Sequence, residues 1–328
     1  MAAAKETRHG VPLTNLDQPL FDGADATKRD LVEYLDAVAP YLLPELEQRP
    51  LSVVRVHRGQ EAFMQKNVPD SAPEWVPRVG IWAEASKREV HYALCDDVRT
   101  LTWFANQRAV EYHPALWRVD RPGRVTHMVL DLDPPSADAF AMAVAAAHLV
   151  REVLDGCGLG CGVKTSGATG VHVYVPLDDS VAPDDAAAAT RAVAARAEQL
   201  DPSIATTAFV IDEREGKVFV DSTRALGATV VAAYSPRVRA GAPVSFPVTW
   251  DTLDAVSPRD FTIHTVPELL AVGGADFPPG PDAWTTAMGR AQPLPADLVA
   301  EGHAIPVARV QAMHAGKRKK RASQTEDG

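Results

Sequence analysis

The first strong pattern in the chain is a run of apolar residues at helical spacing between residues 28 and 46. The apolar positions three or four residues apart are Leu31, Tyr34, Leu35, Val38 and Leu42. This spacing places them on one face of an α-helix, where a core can cover them. Thr27 stands immediately before the run and is a suitable N-cap. The pattern therefore predicts an amphipathic helix over residues 28–46.

Short apolar runs with β-branched residues predict strands along the rest of the chain. We expect strands near residues 51–57, 91–94, 126–132, 171–176, 216–221 and 229–233, and further helices near 97–111, 137–154, 184–200 and 267–272. The strands are too irregular for a plain doubly wound parallel sheet. The sequence therefore predicts an α/β (α+β) fold of mixed, partly antiparallel sheets flanked by helices.

Two aspartates at the end of one predicted strand are the first candidates for chemistry. Asp131 and Asp133 are two residues apart, so both side chains leave the same face of the strand. Two like charges ~4 Å apart repel by about 4 kcal/mol at an effective dielectric constant near ~20. A divalent cation such as Mg²⁺ or Mn²⁺ would turn this repulsion into binding, because hard cations prefer oxygen ligands. The alternative is that one aspartate caps a helix beginning near Ser136 while the other is solvated.

A third carboxylate and a glycine-containing loop extend this candidate site. Asp221 also ends an apolar strand, so three carboxylates could meet and hold two metal ions for phosphoryl transfer. The loop over residues 166–170 has glycines that permit close approach and amides that can face a phosphate. The candidate phosphate-binding residues are Ser166, Gly167, His172, Arg224 and Arg237. Taken singly, a strand histidine is more often structural and an arginine is more often a surface cation.

Composition and charge describe a globular protein that does not coat nucleic acid. Hydrophobic residues make up 46% of the 328 residues and charged residues 23%, as in ordinary soluble domains. The formal net charge of −10 argues against non-specific binding along nucleic acid but allows a local basic groove. A basic block over residues 317–321 is either a solubilising end or a phosphate-tethering arm.

Seven segments of the chain together carry a family resemblance. Three hold the candidate site: Asp131–Pro134, Lys164–Leu177 and Lys217–Asp221. Four others are Leu13–Asp17, Arg49–Leu51, Glu111–Arg118 and Ala233–Pro243. In order and approximate spacing they resemble the polymerase domain of bacterial ligase D, a branch of the archaeo-eukaryotic primase superfamily. The resemblance covers about residues 12 to 275, so it is highly specific and implies a primase-polymerase type core.

The resemblance implies a template-directed nucleotidyl transferase that depends on two Mn²⁺ or Mg²⁺ ions. It would add ribonucleotides to a DNA primer while gaps and ends are filled during non-homologous end joining. Its substrates would be primed or gapped DNA and nucleoside triphosphates. Its partners would be Ku and a separate DNA ligase, because the chain contains no Lys-x-Asp-Gly motif and is expected to be a stand-alone polymerase-domain protein.

The same resemblance assigns roles residue by residue. Asp131 and Asp133 would bind both metal ions, and Asp221 would bind the catalytic ion and help activate the primer 3′-hydroxyl. The residues assigned to the incoming nucleotide are Lys164, Ser166, Gly167, His172, Arg224 and Arg237. The residues assigned to DNA are Asn15 and Lys28 in a pocket for the downstream 5′-phosphate, Phe63 beside the templating base, and Arg55 and Lys66.

Several positions depart from the family pattern. Gln18 stands where relatives often have a lysine, so the 5′-phosphate pocket loses a cation. Met64 stands where a second phenylalanine is common, and a lost aromatic–base stack is worth ~1 to 3 kcal/mol. Thr169 replaces a loop lysine, which Lys164 could partly replace, and the stretch 224–229 is about one residue short. We therefore predict weaker or altered polymerase activity rather than none.

The domain organisation expected from these observations is simple. Residues 11–305 would form one primase-polymerase-like catalytic domain, with an N-terminal α/β part over about 11–120, a core over about 121–250 and a C-terminal extension over about 251–305. Residues 1–10 and the basic tail 306–328 are expected to be disordered. No apolar stretch reaches membrane-spanning length and no signal sequence is recognisable, so we expect a cytoplasmic, nucleoid-associated protein without membrane contacts.

Two other functions fit parts of the sequence. One is a DNA-end or Ku-associated binding module with weakened catalysis, which the departures at Gln18, Met64 and Thr169 favour. The other is a phosphatase of the haloacid dehalogenase type. That family needs Asp-x-Asp-x-Thr/Val, whereas Pro135 occupies the last position here. The three cysteines favour no metal site, because Cys157 and Cys161 lie in a glycine-rich run without a second pair of ligands.

Overall fold

The structure is a computed structural model, and it describes residues 6–57, 59–83, 87–225, 229–273 and 283–307. Its helices are α1 (Lys28–Leu46), α2 (Val98–Asn106), α3 (Phe140–Gly156), α4 (Pro183–Leu200), α5 (Val266–Val272), α6 (Ala283–Met288) and α7 (Ala296–Ala304). Its strands are β1 (Thr7–Arg8), β2 (Val11–Pro12), β3 (Leu51–Arg55), β4 (Phe63–Gln65), β5 (Arg78–Ala83), β6 (Arg88–Ala93), β7 (Ala109–Pro114), β8 (His127–Asp133), β9 (Gly162–Thr165), β10 (Val171–Pro176), β11 (Ala205–Thr206), β12 (Val218–Asp221) and β13 (Pro247–Val248). The predicted elements correspond to α1 to α5 and to β3, β6, β8, β10 and β12, whereas the other strands, α6 and α7 were not predicted.

Two sheets organise the described residues. The six-stranded sheet has the order β11-β12-β8-β10-β9-β13, and every neighbouring pair in it is antiparallel except β11 with β12. The five-stranded sheet has β3 beside β4, β6 and β7, with β5 on the far side of β6. This arrangement confirms the predicted class of mixed, partly antiparallel sheets flanked by helices.

Helices α3 and α4 pack on the six-stranded sheet over β8, β10 and their neighbours. Because successive side chains on a strand alternate, Leu130 and Leu132 share one face of β8 while Asp131 and Asp133 share the other. Both leucines are fully buried. The alanine-rich α4 in turn receives α7 at very close range: a Cβ on Gly302 would lie 1.8 Å from the carbonyl oxygen of Ala188. The helices therefore cover one face of the sheet and leave the acidic face to the rest of the molecule.

Helix α1 begins and ends where its pattern predicts. Thr27 is its N-cap and forms a capping box with Asp30, in which each side chain bonds the backbone N–H of the other residue. Buried residues recur along one face from Leu31 to Leu46, and the helix packs against α2. Local signals and tertiary packing agree here, so the prediction succeeds.

Two local predictions differ from the structure. The helix expected over 97–111 ends at Asn106, and β7 follows after Arg108, whose φ of +59° turns the chain. Pairing with β3 outweighs the helical pattern there. Residues 229–233 form an isolated bridge from Thr229 to Ala115 instead of a strand.

The predicted disorder of the two chain termini can be compared with the structure only where their residues are described. Disorder was expected through residue 10, but Thr7–Arg8 pairs with Val11–Pro12, because the turn between them closes a short antiparallel ribbon. The rest of that prediction, residues 1–5, and nearly all of the basic tail lie outside the described residues. Among the residues described, no helix is both long and apolar enough to cross a membrane.

Candidate active site

One cross-strand row of the six-stranded sheet carries the candidate chemistry. The register pairs Asp221 of β12 with Asp131 of β8, Asp131 with His172 of β10, and His172 with Lys164 of β9. Directly opposite residues share a face of the sheet, with Cβ atoms about 4.5 to 5.5 Å apart. The row therefore brings two acids, an imidazole and an amine into consecutive contact.

The three predicted carboxylates meet, but not for the reason that the sequence suggested. The prediction placed Asp133 and Asp221 at strand ends that finish together, whereas β8 and β12 run antiparallel. Asp221 instead lies opposite Asp131 because of the pairing register, and Asp133 joins them from two residues along β8. Asp131 and Asp221 are 8% and 5% exposed, so their charges need partners.

Arg224 supplies the nearest positive charge to two of these acids. Its Nη2 lies 3.1 Å from Oδ2 of Asp131, and its Nε lies 3.1 Å from Oδ2 of Asp221. Burial alone raises the pKa of Asp131, but its contact with His172 and the charge of Arg224 hold that pKa below its usual range. Burial and the charge of Asp131 raise the pKa of Asp133 to about 6. The positive charge of Arg224 therefore does not fully offset the burial of Asp133 and its repulsion by Asp131.

The donor set fits a hard divalent cation by its chemistry. Three carboxylates on one face are the oxygen ligands that Mg²⁺ and Mn²⁺ prefer. Burial raises the pKa of Asp133 first, and the charge of Asp131 raises it further, so a cation beside these acids would be favoured. As the described side chains stand, no three histidines, cysteines or acids enclose a common ion position. The guanidinium of Arg224 lies between Asp131 and Asp221 instead.

Lys164 was predicted to bind the nucleotide, and it lies behind His172 instead. Its side chain is fully buried, and its Nζ donates to Oγ of Ser245 at 2.5 Å and faces Nδ1 of His172 at 2.9 Å. The hydroxyl of Ser245 donates a hydrogen bond to the carbonyl oxygen of Thr165, so its Oγ accepts from Lys164. With an amine facing Nδ1, the imidazole N–H is on Nε2, which lies 3.1 Å from Oδ1 of Asp131. Burial, followed by the charge of Lys164, lowers the pKa of His172 to about 4.

The predicted phosphate loop is folded on itself by a serine. Oγ of Ser166 accepts from the backbone N–H groups of Ala168 and Gly170 at 3.2 and 3.0 Å. Gly167 has a φ of +68°, and a Cβ there would lie 2.6 Å from the backbone nitrogen of Ser245. A side chain at this position is therefore excluded both by backbone conformation and by space. Arg237 fixes the loop from outside, because its Nη1 donates to the carbonyl oxygen of Ser166 at 2.6 Å.

A cavity of about 410 Å³ lies between the two sheets next to this row. From the six-stranded side and its loops it is lined by Asp131, His172, Arg224 and Arg237, and from the five-stranded sheet and the residue after β4 by Ser52, Met64, Lys66, Tyr92 and His113. Residues Thr229, Val230 and Val231 complete the lining. One wall is thus rich in charge and the other is mixed, which suits a ligand with a polyanionic end and a ring system.

The sequence identified only part of this lining. The predicted residues Asp131, His172, Arg224, Arg237 and Lys66 line the cavity. Lys164, Ser166 and Gly167 do not, but each touches a residue that does. Ser52, Tyr92 and His113 were missed. Ser52 lies directly opposite His113 across β3 and β7, and its buried hydroxyl has no hydrogen-bond partner.

The predicted DNA-binding residues, apart from Lys66, lie outside the lining of this cavity. Phe63 leaves the face of β4 opposite to Met64, where it stacks on His57 with 5.4 Å between ring centroids and has Arg55 at 5.8 Å. It is therefore Met64, and not Phe63, that reaches the cavity. Arg55 is further tied to Gln107 through a hydrogen bond to its carbonyl oxygen.

The proposed 5′-phosphate residues form a separate cluster near the start of α1. Lys28 is only 2% exposed, and its Nζ donates to the carbonyl oxygen of Thr14 at 2.5 Å and to Oδ1 of Asn106 at 2.7 Å. Burial, followed by the charge of Arg108, lowers the pKa of Lys28 to about 8. Asn15 is exposed next to this cluster with a φ of +54°. The ammonium group is thus already satisfied by neutral acceptors.

Comparison with known proteins gives a consistent result. The sequence model of the family described as "LigD, primase-polymerase domain" matches residues 27–277. The Bifunctional non-homologous end joining protein LigD of Bacillus subtilis is 33% identical over 285 residues, which is 84% of this chain and 46% of that protein. The Multifunctional non-homologous end joining DNA repair protein LigD of Mycobacterium tuberculosis is 34% identical over 84% of this chain and 37% of its own length. The chain thus spans less than half of these relatives.

One solved structure shares the fold at similar sequence identity. It is described as "Polymerase Domain from Mycobacterium tuberculosis Ligase D in complex with DNA". Its TM-score with this chain is 0.73 at 34% sequence identity, and the match covers 80% of this chain and 95% of that one. The match therefore leaves little of the solved domain without a counterpart.

Proposed function

Because the chain belongs to the family of LigD primase-polymerase domains, we propose that it is a DNA-directed nucleotidyltransferase that adds nucleotides to a DNA primer during end joining or gap filling. Its substrates are primed or gapped DNA and nucleoside triphosphates. Ku and a DNA ligase activity are its expected partners, and a nucleoid-associated, cytoplasmic location is expected with DNA as the substrate.

The observation that carries the proposal is the convergence of three acids with cations and donors beside one cavity. Asp131 lines the cavity, Asp221 lies opposite it in the sheet, and Asp133 stands two residues away on the same face. Arg237 and His172 line the same wall. Phosphoryl transfer needs little covalent chemistry from a protein and depends on positioning and on neutralising charge, which this wall supplies.

Asp131, Asp133 and Asp221 are the residues that would hold two Mn²⁺ or Mg²⁺ ions. When bound, such ions neutralise the transferred phosphate and activate the primer 3′-hydroxyl. Arg224 provides positive charge between two of these acids. Its guanidinium must leave at least one carboxylate before that carboxylate can ligate an ion, and it would then be free to pair with the triphosphate.

The remaining wall residues would orient the substrates. His172 presents the N–H on its Nε2, which can donate to a phosphate oxygen once Asp131 is engaged elsewhere. Lys164 keeps that N–H in place from behind. Met64 and Lys66 face the cavity from the five-stranded side and would contact the base pair and the DNA backbone. We expect little dependence on a downstream 5′-phosphate, because the ammonium of Lys28 is already bound by neutral acceptors.

Primer extension with isosteric variants tests the proposal. The wild type should extend a primed DNA template in Mn²⁺, whereas Asp131→Asn and Asp221→Asn should lose activity by at least ~10³-fold, because a carboxylate ligand is replaced by a neutral amide. Asp179→Asn is the matched control, since this exposed acid pairs with Arg121 at the surface. DNA affinity should change little in all three variants. Extension that persists in either active-site variant refutes the assignment.

A second candidate function is a DNA-end binding module that no longer polymerises. The position of Arg224 between Asp131 and Asp221 favours it, because that cation already compensates the acids. This function predicts DNA binding by the wild type without incorporation in Mn²⁺ or Mg²⁺. A phosphatase of the haloacid dehalogenase type is excluded, since the family match assigns the Asp131 motif to a different fold.

A further inference from the structure

Glu111 is a buried acid that contacts the cavity wall without lining the cavity. It lies on β7 opposite Val54 of β3 and is 5% exposed. Its Oε2 lies 2.8 Å from Nε2 of His113, and its Oε1 accepts from the backbone N–H of Val238 at 2.8 Å. Its Oε1 also forms an ion pair with Nε of Arg237 at 3.3 Å. One carboxylate thus touches side chains that belong to opposite walls.

The two side-chain partners of Glu111 both line the cavity. His113 belongs to the five-stranded wall, two residues further along β7 and on the same face of the strand. Arg237 belongs to the other wall, where its Nη1 is bonded to the carbonyl oxygen of Ser166. The guanidinium of Arg237 therefore contacts both Glu111 and the 166–170 loop, and its orientation depends on both contacts.

The carboxylate of Glu111 stays charged in this environment. Burial alone raises the pKa of Glu111, but the hydrogen bond from His113 and the charge of Arg237 lower it to about 2. A buried charge is strongly disfavoured unless partners compensate it. The compensating side chains here are the two cavity-lining groups, so the charge of Glu111 and the placement of those groups depend on each other.

We propose that Glu111 is a positioning residue for nucleotide binding, which holds Arg237 and His113 on opposite walls of the cavity and acts only through them. The inference rests on the proposed function, because it takes a nucleoside triphosphate as the ligand of the cavity. Glu111 aims Arg237 at the polyanionic end of that ligand and keeps the imidazole proton of His113 on Nε2.

A double-mutant cycle on ATP affinity separates this role from general stability. The full chain is titrated with ATP in Mn²⁺ without DNA, so that binding is measured and no primer is extended. We expect Glu111→Gln to weaken ATP binding about 10-fold and Arg237→Gln to weaken it about 30-fold. The double variant should bind no more than ~2-fold more weakly than Arg237→Gln alone, because the two residues act as a unit.

Asp96→Asn is the control for the loss of a partly buried, hydrogen-bonded acid. Oδ1 of Asp96 accepts from the backbone N–H of Gln48 at 2.7 Å, and Asp96 does not line the cavity. Its ATP affinity should equal that of the wild type even if its melting temperature falls. If Glu111→Gln does not fold, Glu111→Asp replaces it in the same cycle, because it keeps the charge but withdraws the carboxylate by one methylene.

The outcomes distinguish the inference from the proposed function. Nitrogen chemical shifts of His113 should show the Nε2–H tautomer in the wild type and a changed tautomer population in Glu111→Gln. Additive losses in the cycle, near ~300-fold for the double variant, overturn the positioning role while leaving the proposed function intact. An unchanged ATP affinity in Glu111→Gln does the same. A wild type that binds no ATP at all overturns both.

Discussion

The raised pKa of Asp133 predicts that an amide at this position stabilises the protein in the absence of metal ions. Asp133→Asn removes the carboxyl group that burial and the charge of Asp131 disfavour. The folded pKa is about 6 against an ordinary value of 3.8. At 1.36 kcal/mol per pKa unit, ionised Asp133 costs the folded state about 3 kcal/mol relative to the unfolded chain.

The sign and the pH window follow from the direction of the shift. An acid whose folded pKa is raised favours the folded state while it is protonated, and this contribution is lost as the pH rises from about 4 through about 6. The substitution itself can shift the unfolding free energy by an amount that does not depend on pH. The pH-dependent part of the difference between Asp133→Asn and the wild type should therefore be smallest near pH 4. By pH 7 the variant should have gained about 3 kcal/mol over the wild type. His172 titrates in part of the same window with the opposite sign, because its pKa is lowered to about 4, so only the difference between the two proteins isolates Asp133.

Urea unfolding in EDTA at several pH values between 4 and 7.5 measures this difference directly. Mn²⁺ should then make the wild type more stable than Asp133→Asn at pH 7, because a bound cation stabilises the ionised carboxylate that the neighbouring acid destabilises. Asp179→Asn serves as the control for a change of net charge at the surface. A difference that does not vary with pH in EDTA, or one in which the variant loses stability relative to the wild type as the pH rises from 4 to 7, refutes the reasoning.

Three further predictions address the cations and the loop around the acids. Arg224→Gln should raise the Mn²⁺ affinity of the nucleotide-free protein about 10-fold, because it removes a cation that competes for Asp131 and Asp221. Arg237→Gln should leave the Mn²⁺ affinity unchanged. Mn²⁺ titration followed by electron paramagnetic resonance measures both affinities. Lys164→Met should lower nucleotide incorporation ~10²-fold and change the tautomer of His172 seen by NMR, with only a modest change in stability, because it removes the amine that faces Nδ1. Gly167→Ala should lower the unfolding free energy by about 3 kcal/mol, because its Cβ would lie 2.6 Å from a backbone atom. Gly158→Ala is the control, since Gly158 has a similar φ of +70° but open space around it, and it should cost only about 1 kcal/mol. Thermal or urea unfolding measures both.

Local patterns determined those parts of the structure that depend on local interactions. The period of α1 and its Thr27 cap gave both helix ends, because side chains three and four residues apart decide which face is buried. The shared face of Asp131 and Asp133 followed from the period of a strand. The position of Asp221 opposite Asp131 depends on how β12 pairs with β8, and pairing register is set by tertiary contacts that no local pattern contains.

The missed wall of the cavity has a specific physical cause. Residues 97–111 were assigned to one helix that ended before His113, so the prediction did not place Glu111 and His113 on a common face. In β7 they share a face, which creates the contact between Glu111 and His113 and turns both toward the other sheet. The signal that could have found them is two polar residues, two apart, in an otherwise apolar run that ends at Pro114.

The order of charges along the cross-strand row of the six-stranded sheet explains how its four residues form one site. Asp221 and Asp131 place two negative charges side by side, and the sheet continues through neutral His172 to the amine of Lys164. Lys164 is too deeply buried to meet a ligand, so it can act on the cavity only through the imidazole that it faces. The acids, in contrast, are compensated from the open side by Arg224, whose side chain is 36% exposed and can be exchanged for another cation. An amine held behind the row and an exposed cation in front of it are what we expect of a site where metal ions replace Arg224, as the proposed metal-dependent transferase requires.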